Sequence, residues 1–106
     1  MGWTRVLQAA EDDPKAASLN ERTLQNLAAL VRYGDAGLLP PSTVGQGYYP
    51  SVVLDWIDLQ QQIEVFEDRF EVYDFSVVPT AIQHVALEQV GHLPNQLLPL
   101  LTPLKR

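Results

Sequence analysis

The stretch VVLDWIDLQQQIEVFEDRFEVYDF, residues 52–75, decides the fold. Val52, Leu54 and Trp56 alternate with Val53, Asp55 and Ile57. Ile63 and Val65 alternate with Glu64 and Phe66, and Phe70 and Val72 with Glu71 and Tyr73, ahead of Phe75. Alternation rich in β-branched and aromatic side chains marks strands with one face in a core. Asp68-Arg69 reads as the tip of a tight hairpin, a register that sets Val65 opposite Val72 and Phe66 opposite Glu71. Glu64 and Glu71 then share a face on adjacent strands without lying directly opposite. A short link at 58–61 joins the first two strands, so residues 52–75 are expected to form an antiparallel meander.

Helices are expected on both sides of it. In residues 1–17, an N-terminal helix or arm, Trp3, Val6, Leu7 and Ala10 recur at helical spacing. Residues 19–33 give the strongest helix. Ser18 stands as its N-cap with Glu21 three residues on, and Leu24, Leu27, Ala28 and Val31 form an apolar stripe. Gly34 or Gly37 can end it, and Pro40-Pro41 forbid more. Residues 40–50 read as a loop. After the meander, Pro79 suits the first position of a helix over 79–90, with Ile82, Val85 and Ala86 on its apolar side and Gly91 as its C-cap. The tail 92–106 carries Leu97, Leu98, Leu100, Leu101 and Leu104 around Pro99 and Pro103. Five leucines require burial against the sheet, a helix or another chain.

The expected architecture is therefore one α+β domain, 1–106, of two layers. A three-stranded antiparallel meander is covered by two or three helices, with room for a fourth strand in 42–49 or 95–101.

Composition narrows the function classes. Hydrophobic residues make up 46% of the chain, enough for a core of its own, and the net charge is -6. That charge disfavours nucleic-acid backbones and anionic membranes as partners, and no apolar run reaches bilayer length. The absence of cysteine excludes disulfides and thiolate chemistry. With no basic region followed by a long apolar run at the N-terminus, a cytoplasmic location is expected.

No cofactor motif appears, and no serine stands in a nucleophile elbow. His84 and His92 with Glu88 match no strong metal-ligand spacing; His84 and Glu88 read as an i, i+4 surface pair on the expected helix. What stands out is charge. Asp55, Asp58, Glu64, Glu67, Asp68, Glu71 and Asp74 crowd the meander against Arg69 alone, and their local sum equals the charge of the whole chain. Tyr48 and Tyr49, in the preceding loop, have the character of interface anchors.

Residues 38–73 resemble a segment found in small bacterial proteins of unassigned function. The resemblance rests on a Pro-Pro-Ser turn (Pro40, Pro41, Ser42), a strand ending in an acid and a tryptophan (Leu54, Asp55, Trp56) and an Ile-Glu-Val strand (Ile63, Glu64, Val65). Where such strands continue through an Asp-Gly turn, this chain has Glu67-Asp68-Arg69. The likeness implies a toxin–antitoxin or defence setting, and hence protein binding, and it brings no catalytic residues.

The expectation is thus a non-enzymatic module that binds a basic protein through Tyr48, Tyr49, Glu64, Glu67, Asp68 and Glu71. It is also expected to form a homodimer whose interface includes Leu97, Leu98, Leu100, Leu101 and Leu104. The alternatives are a structural homodimer subunit and a small hydrolase using two carboxylates.

Overall fold

A computed structural model describes residues 2–13, 19–47 and 49–106. In it the alternating stretch is the middle of a larger sheet. Strands β1 (Thr43–Gln46), β2 (Val52–Trp56), β3 (Gln61–Val65), β4 (Arg69–Asp74) and β5 (Ala81–Ala86) lie in sequence order, each antiparallel to the next. Among the described residues, three helices cover the sheet: α1 (Val6–Asp12, entered through a 3-10 turn at Trp3–Arg5), α2 (Glu21–Gly37) and a 3-10 helix at Leu98–Leu104. The expected meander of three or four strands is corrected to five.

The two extra strands have different origins. β1 falls within 42–49, one of the two positions open to a further strand although 40–50 as a whole read as a loop; there Thr43 and Val44 pair with Asp55 and Leu54. The alternative site for a fourth strand, 95–101, runs into the 3-10 helix instead. β5 replaces the helix expected over 79–90. Ile82, Val85 and Ala86 fit a helical stripe as well as a strand, but β4 offers a free ladder that residues 81–86 complete in unbroken register, from Arg69 opposite Ala86 to Asp74 opposite Ala81. Pairing overrides a weak local preference here. Pro79 sits in the β4–β5 turn after a cis bond, and Gly91 (φ 81) turns the chain after β5 rather than capping a helix.

The β3–β4 register also differs from expectation. The Phe66 N–H donates to the Arg69 carbonyl at 2.9 Å, so the turn residues are Glu67-Asp68. Val65 therefore faces Phe70, and Ile63 faces Val72. One sheet face supplies Val52, Leu54, Trp56, Ile63, Val65, Phe70, Val72 and Val85 to the core, against Trp3, Val6, Ala10, Leu27, Leu30 and Leu38.

Helix α2 is longer than expected and turned about its axis. Ser18 lies outside the described residues; the cap is Asn20, whose side chain accepts the Thr23 N–H at 2.9 Å. Its buried positions are Thr23, Asn26, Leu27, Ala29, Leu30 and Gly34, while Leu24 and Val31 are only half-buried. Asn26 explains the rotation. Its Nδ2 donates to the carbonyls of Phe66 (2.9 Å) and Glu67 (3.1 Å), and its Oδ1 accepts the Gly91 N–H at 2.8 Å. Gly34, read as a terminator, sits inside the helix because a Cβ there would run into the indole of Trp3.

The far end of α2 is closed by both tryptophans. Trp3 Nε1 donates to the Leu38 carbonyl (2.9 Å) and Trp56 Nε1 to that of Leu39 (2.8 Å), with the two rings 6.1 Å apart. The Leu39 N–H in turn donates to the Leu104 carbonyl at 2.8 Å, which docks the tail. Leu97, Leu101 and Leu104 are buried in this chain's own core, and Leu98 and Leu100 pack against it.

Two substitutions test this arrangement. Asn26→Ala leaves three backbone groups without their partner and should cost about 2–4 kcal/mol in chemical denaturation, although alanine is the better helix former. A loss under about 0.5 kcal/mol would mean water replaces the amide. Gly34→Ala should also destabilise, by about 1–3 kcal/mol, because crowding against Trp3 exceeds the propensity gain. That loss should shrink when Trp3 is shortened to leucine; the same loss in both backgrounds would contradict the crowding.

Candidate functional site

The register decides what the other sheet face carries. One row runs Gly45, Val53, Glu64, Glu71, His84 across the five strands, and the next runs Thr43, Asp55, Gln62, Tyr73, Ile82. Glu64 and Glu71 are therefore directly opposite, which corrects the offset expected from the sequence. Like charges so placed destabilise a sheet unless they are compensated.

The neighbours supply that compensation. The Tyr73 hydroxyl donates to Glu71 Oε1 at 2.6 Å and lies 3.4 Å from Glu64 Oε1. Arg69 Nε donates to Glu71 Oε2 at 2.7 Å, and His84 Nδ1 lies 3.1 Å from the same oxygen. Ser51 Oγ donates to Glu64 Oε2 at 2.5 Å. Gly47 makes that last contact possible, since a Cβ on it would collide with both Ser51 Oγ and Glu64 Oε2. His84 thus meets Glu71 across the sheet and not Glu88, because β5 is a strand.

Glu71 is only 7% exposed. Burial pushes its carboxyl up, but hydrogen bonds from Tyr73 and Arg69 and the charges of Arg69 and His84 outweigh this and hold it below the ordinary range. Burial, and then the bond to Glu71, raise the Tyr73 phenol well above its usual value. Burial raises Asp55, while hydrogen bonds from Ser76 lower Asp74.

A different surface forms at the β3–β4 turn. A groove of about 260 Å³ is lined by Asn20, Tyr49, Pro50, Phe66, Glu67, Asp68 and Arg69. Tyr49 is 62% exposed. The Arg69 guanidinium lies 3.7 Å from the centroid of the Phe66 ring, and its Nη1 donates to Asp68 Oδ1 at 2.9 Å. Glu67 Oε2 accepts from Asn20 Nδ2 at 2.6 Å. On the other side of the turn Glu67 and Asp68 also line a second groove with Arg22 and Glu88.

The seven acids thus do not share one surface. Glu67 and Asp68 stand exposed at the turn, and Asp55, Glu64 and Glu71 are wholly or partly buried on the sheet face. Asp58 lies in the β2–β3 turn, and Asp74 is engaged by Gln61 and Ser76. Of the expected binding residues, Tyr49, Glu67 and Asp68 meet in one groove, Glu64 and Glu71 lie elsewhere, and Tyr48 falls outside the described residues. Sequence reasoning missed Asn20, Phe66 and Arg69. Arg69 carried a legible signal as the only lysine or arginine between Arg32 and Lys105.

Among the described residues no three of His, Asp or Glu converge as a metal-binding group, and no helix is long and apolar enough to cross a membrane. No family model, no curated protein and no solved structure matches this chain.

Because the folded Glu71 carboxyl ionises below its unfolded value, its contribution to stability is present above the unfolded value and is lost as the pH falls through the folded one. Glu71→Gln should therefore flatten the acid limb of stability against pH, measured by denaturant unfolding between about pH 6 and 2. An acid limb as steep as the parent's would show that other carboxylates set it.

Proposed function

We propose that this chain is a non-enzymatic protein-binding domain, acting in the cytoplasm, whose groove at the β3–β4 turn receives a lysine or arginine of a positively charged protein partner. The observation that carries this reading is the meeting of exposed Tyr49 with Glu67 and Asp68 in one groove. Arg69 displays the chemistry within the chain, since its guanidinium lies over an aromatic ring and bonds a carboxylate. A cation from outside would find Tyr49, Glu67 and Asp68 arranged to offer the same pair of contacts. The net charge of -6 would steer such a partner in and penalise acidic ones. An antitoxin or inhibitor that covers a basic protein surface is one form this role takes.

The carboxylate pair favours binding over hydrolysis. A hydrolytic carboxyl must reach its substrate, whereas Glu71 is almost wholly buried with its oxygens engaged by Tyr73, Arg69 and His84. Neither Glu64 nor Glu71 lines the two grooves at the turn.

The test is a titration of the isotopically labelled chain with an arginine-containing basic peptide, followed by amide shifts. Shifts should concentrate at Tyr49 and Phe66–Arg69. The double variant Glu67→Gln, Asp68→Asn should weaken binding roughly 5- to 30-fold, as expected for two exposed contacts of about 0.5–1 kcal/mol each. Shifts spread evenly over Asp35, Asp58 and the turn, or an affinity unchanged in the double variant, would refute the groove.

A further inference from the structure

The two edges of the sheet are treated differently. At the β1 edge, α1 packs against the strand, and the outward Gln46 N–H donates to Asp13 Oδ2 at 3.2 Å. β5 is the last strand at the other edge, with β4 its one neighbour in the sheet. The Leu87 N–H donates to the Asp68 carbonyl at 3.1 Å, so these two residues form a hydrogen-bonded pair of the β4–β5 ladder. By alternation, Ala81, Gln83 and Val85 bond β4, and the N–H and C=O groups of Ile82, His84 and Ala86 point away from the sheet. Among the described residues no strand or bridge pairs with that side.

Open edges in natural proteins are blunted by lysine, proline, inward charges or bulges. Ala81–Ala86 has none of these, and its register with β4 is continuous. Its surroundings are apolar. Val78 is 98% exposed and Ile82 46%, and Phe75, Val77 and Val90 are exposed as well. From Phe75 to Leu87 the chain has no Asp, Glu, Lys or Arg.

We infer that β5 is the self-association edge of this protein, pairing antiparallel with β5 of a second copy to make one continuous sheet of both chains. The uncharged edge selects this occupant. A basic partner finds no carboxylate on it to grip, while two chains of charge -6 meet here without opposing like charges. The edge is also self-complementary, as a two-fold interface requires. Only the register that centres His84 on His84 engages all three outward residues of both copies, with Ile82 facing Ala86 of the second copy. The same alignment brings the Val78 end of each strand to the Val90 end of the other, so exposed apolar side chains meet at both ends. The tail leucines buried in each chain's own core are not needed for this contact.

Sedimentation of the full chain over about 1–300 µM tests the inference. A reversible dimer is expected, and Ile82→Lys should raise its dissociation constant at least about 10-fold. Ile57→Lys, a control at another exposed position (64%), should leave it unchanged. Hydrogen exchange of the unaltered protein gives a second reading. The amides of Ile82, His84 and Ala86 should slow with concentration, whereas those of Ile63 and Val65 in the core should not change. A monomer at every concentration would overturn the proposal. So would a dimer equally tolerant of both lysines, or one that leaves the three edge amides fast. The variant Glu67→Gln, Asp68→Asn should keep the dimer, so that failure of the groove and failure of the edge are told apart.

Discussion

Asn26 is a polar residue on the buried side of α2, and the geometry of the turn depends on it. Its amide spends both donors on consecutive carbonyls, Phe66 and Glu67, and its oxygen on the Gly91 N–H. A buried amide in this position either satisfies every group or costs several kcal/mol. By satisfying three backbone groups from two separate segments, it joins the helix, the β3–β4 turn and the chain leaving β5. Asn20, six residues earlier at the N-cap of that helix, donates to the side chain of Glu67. The turn that carries the exposed acids is therefore anchored from beneath, and Glu67 and Asp68 line the groove beside it.

At the opposite end the constraint is the end of α2 itself. The carbonyls of Leu38 and Leu39 continue past the last helical turn and need donors in an apolar setting. The two indoles provide them, which is why both tryptophans are buried yet not purely apolar in their role. The Leu39 N–H completes the accounting by bonding Leu104. Prolines that prevent the tail from continuing as a regular helix do not prevent a 3-10 segment, and this presents Leu101 and Leu104 inward. The tail is a structural layer of this domain.

Between these two ends the sheet separates its charges by what they can do. Glu64 and Glu71 face each other on adjacent strands, and the repulsion is absorbed by Ser51, Tyr73, Arg69 and His84. Acids so engaged have little capacity left for a partner. Glu67 and Asp68 are each held on one oxygen, by Asn20 and Arg69, but their side chains at the turn stay more than half exposed. The proposed recognition therefore rests on a few contacts in a groove and on long-range charge, since the seven acids form no broad acidic plate.

Legible in the amino-acid order alone are the two-residue alternation of 52–75, the existence of a long helix (expected over 19–33), the absence of thiol chemistry and the concentration of negative charge. Each is a local or compositional property, readable because side-chain period and charge do not depend on what packs where. The tertiary structure alone decided the strand at 81–86, whose side chains suit a helix equally well and which forms because β4 has a ladder to fill. It decided the hairpin register, since one backbone bond from Phe66 to Arg69 moves the turn and brings Glu71 opposite Glu64. It also decided which side of α2 is buried, because Asn26 and Gly34 look like surface or breaker residues until the turn and Trp3 are placed against them. Ladder completion, buried polar satisfaction and close approach are relations between distant segments, and a linear pattern carries no record of them.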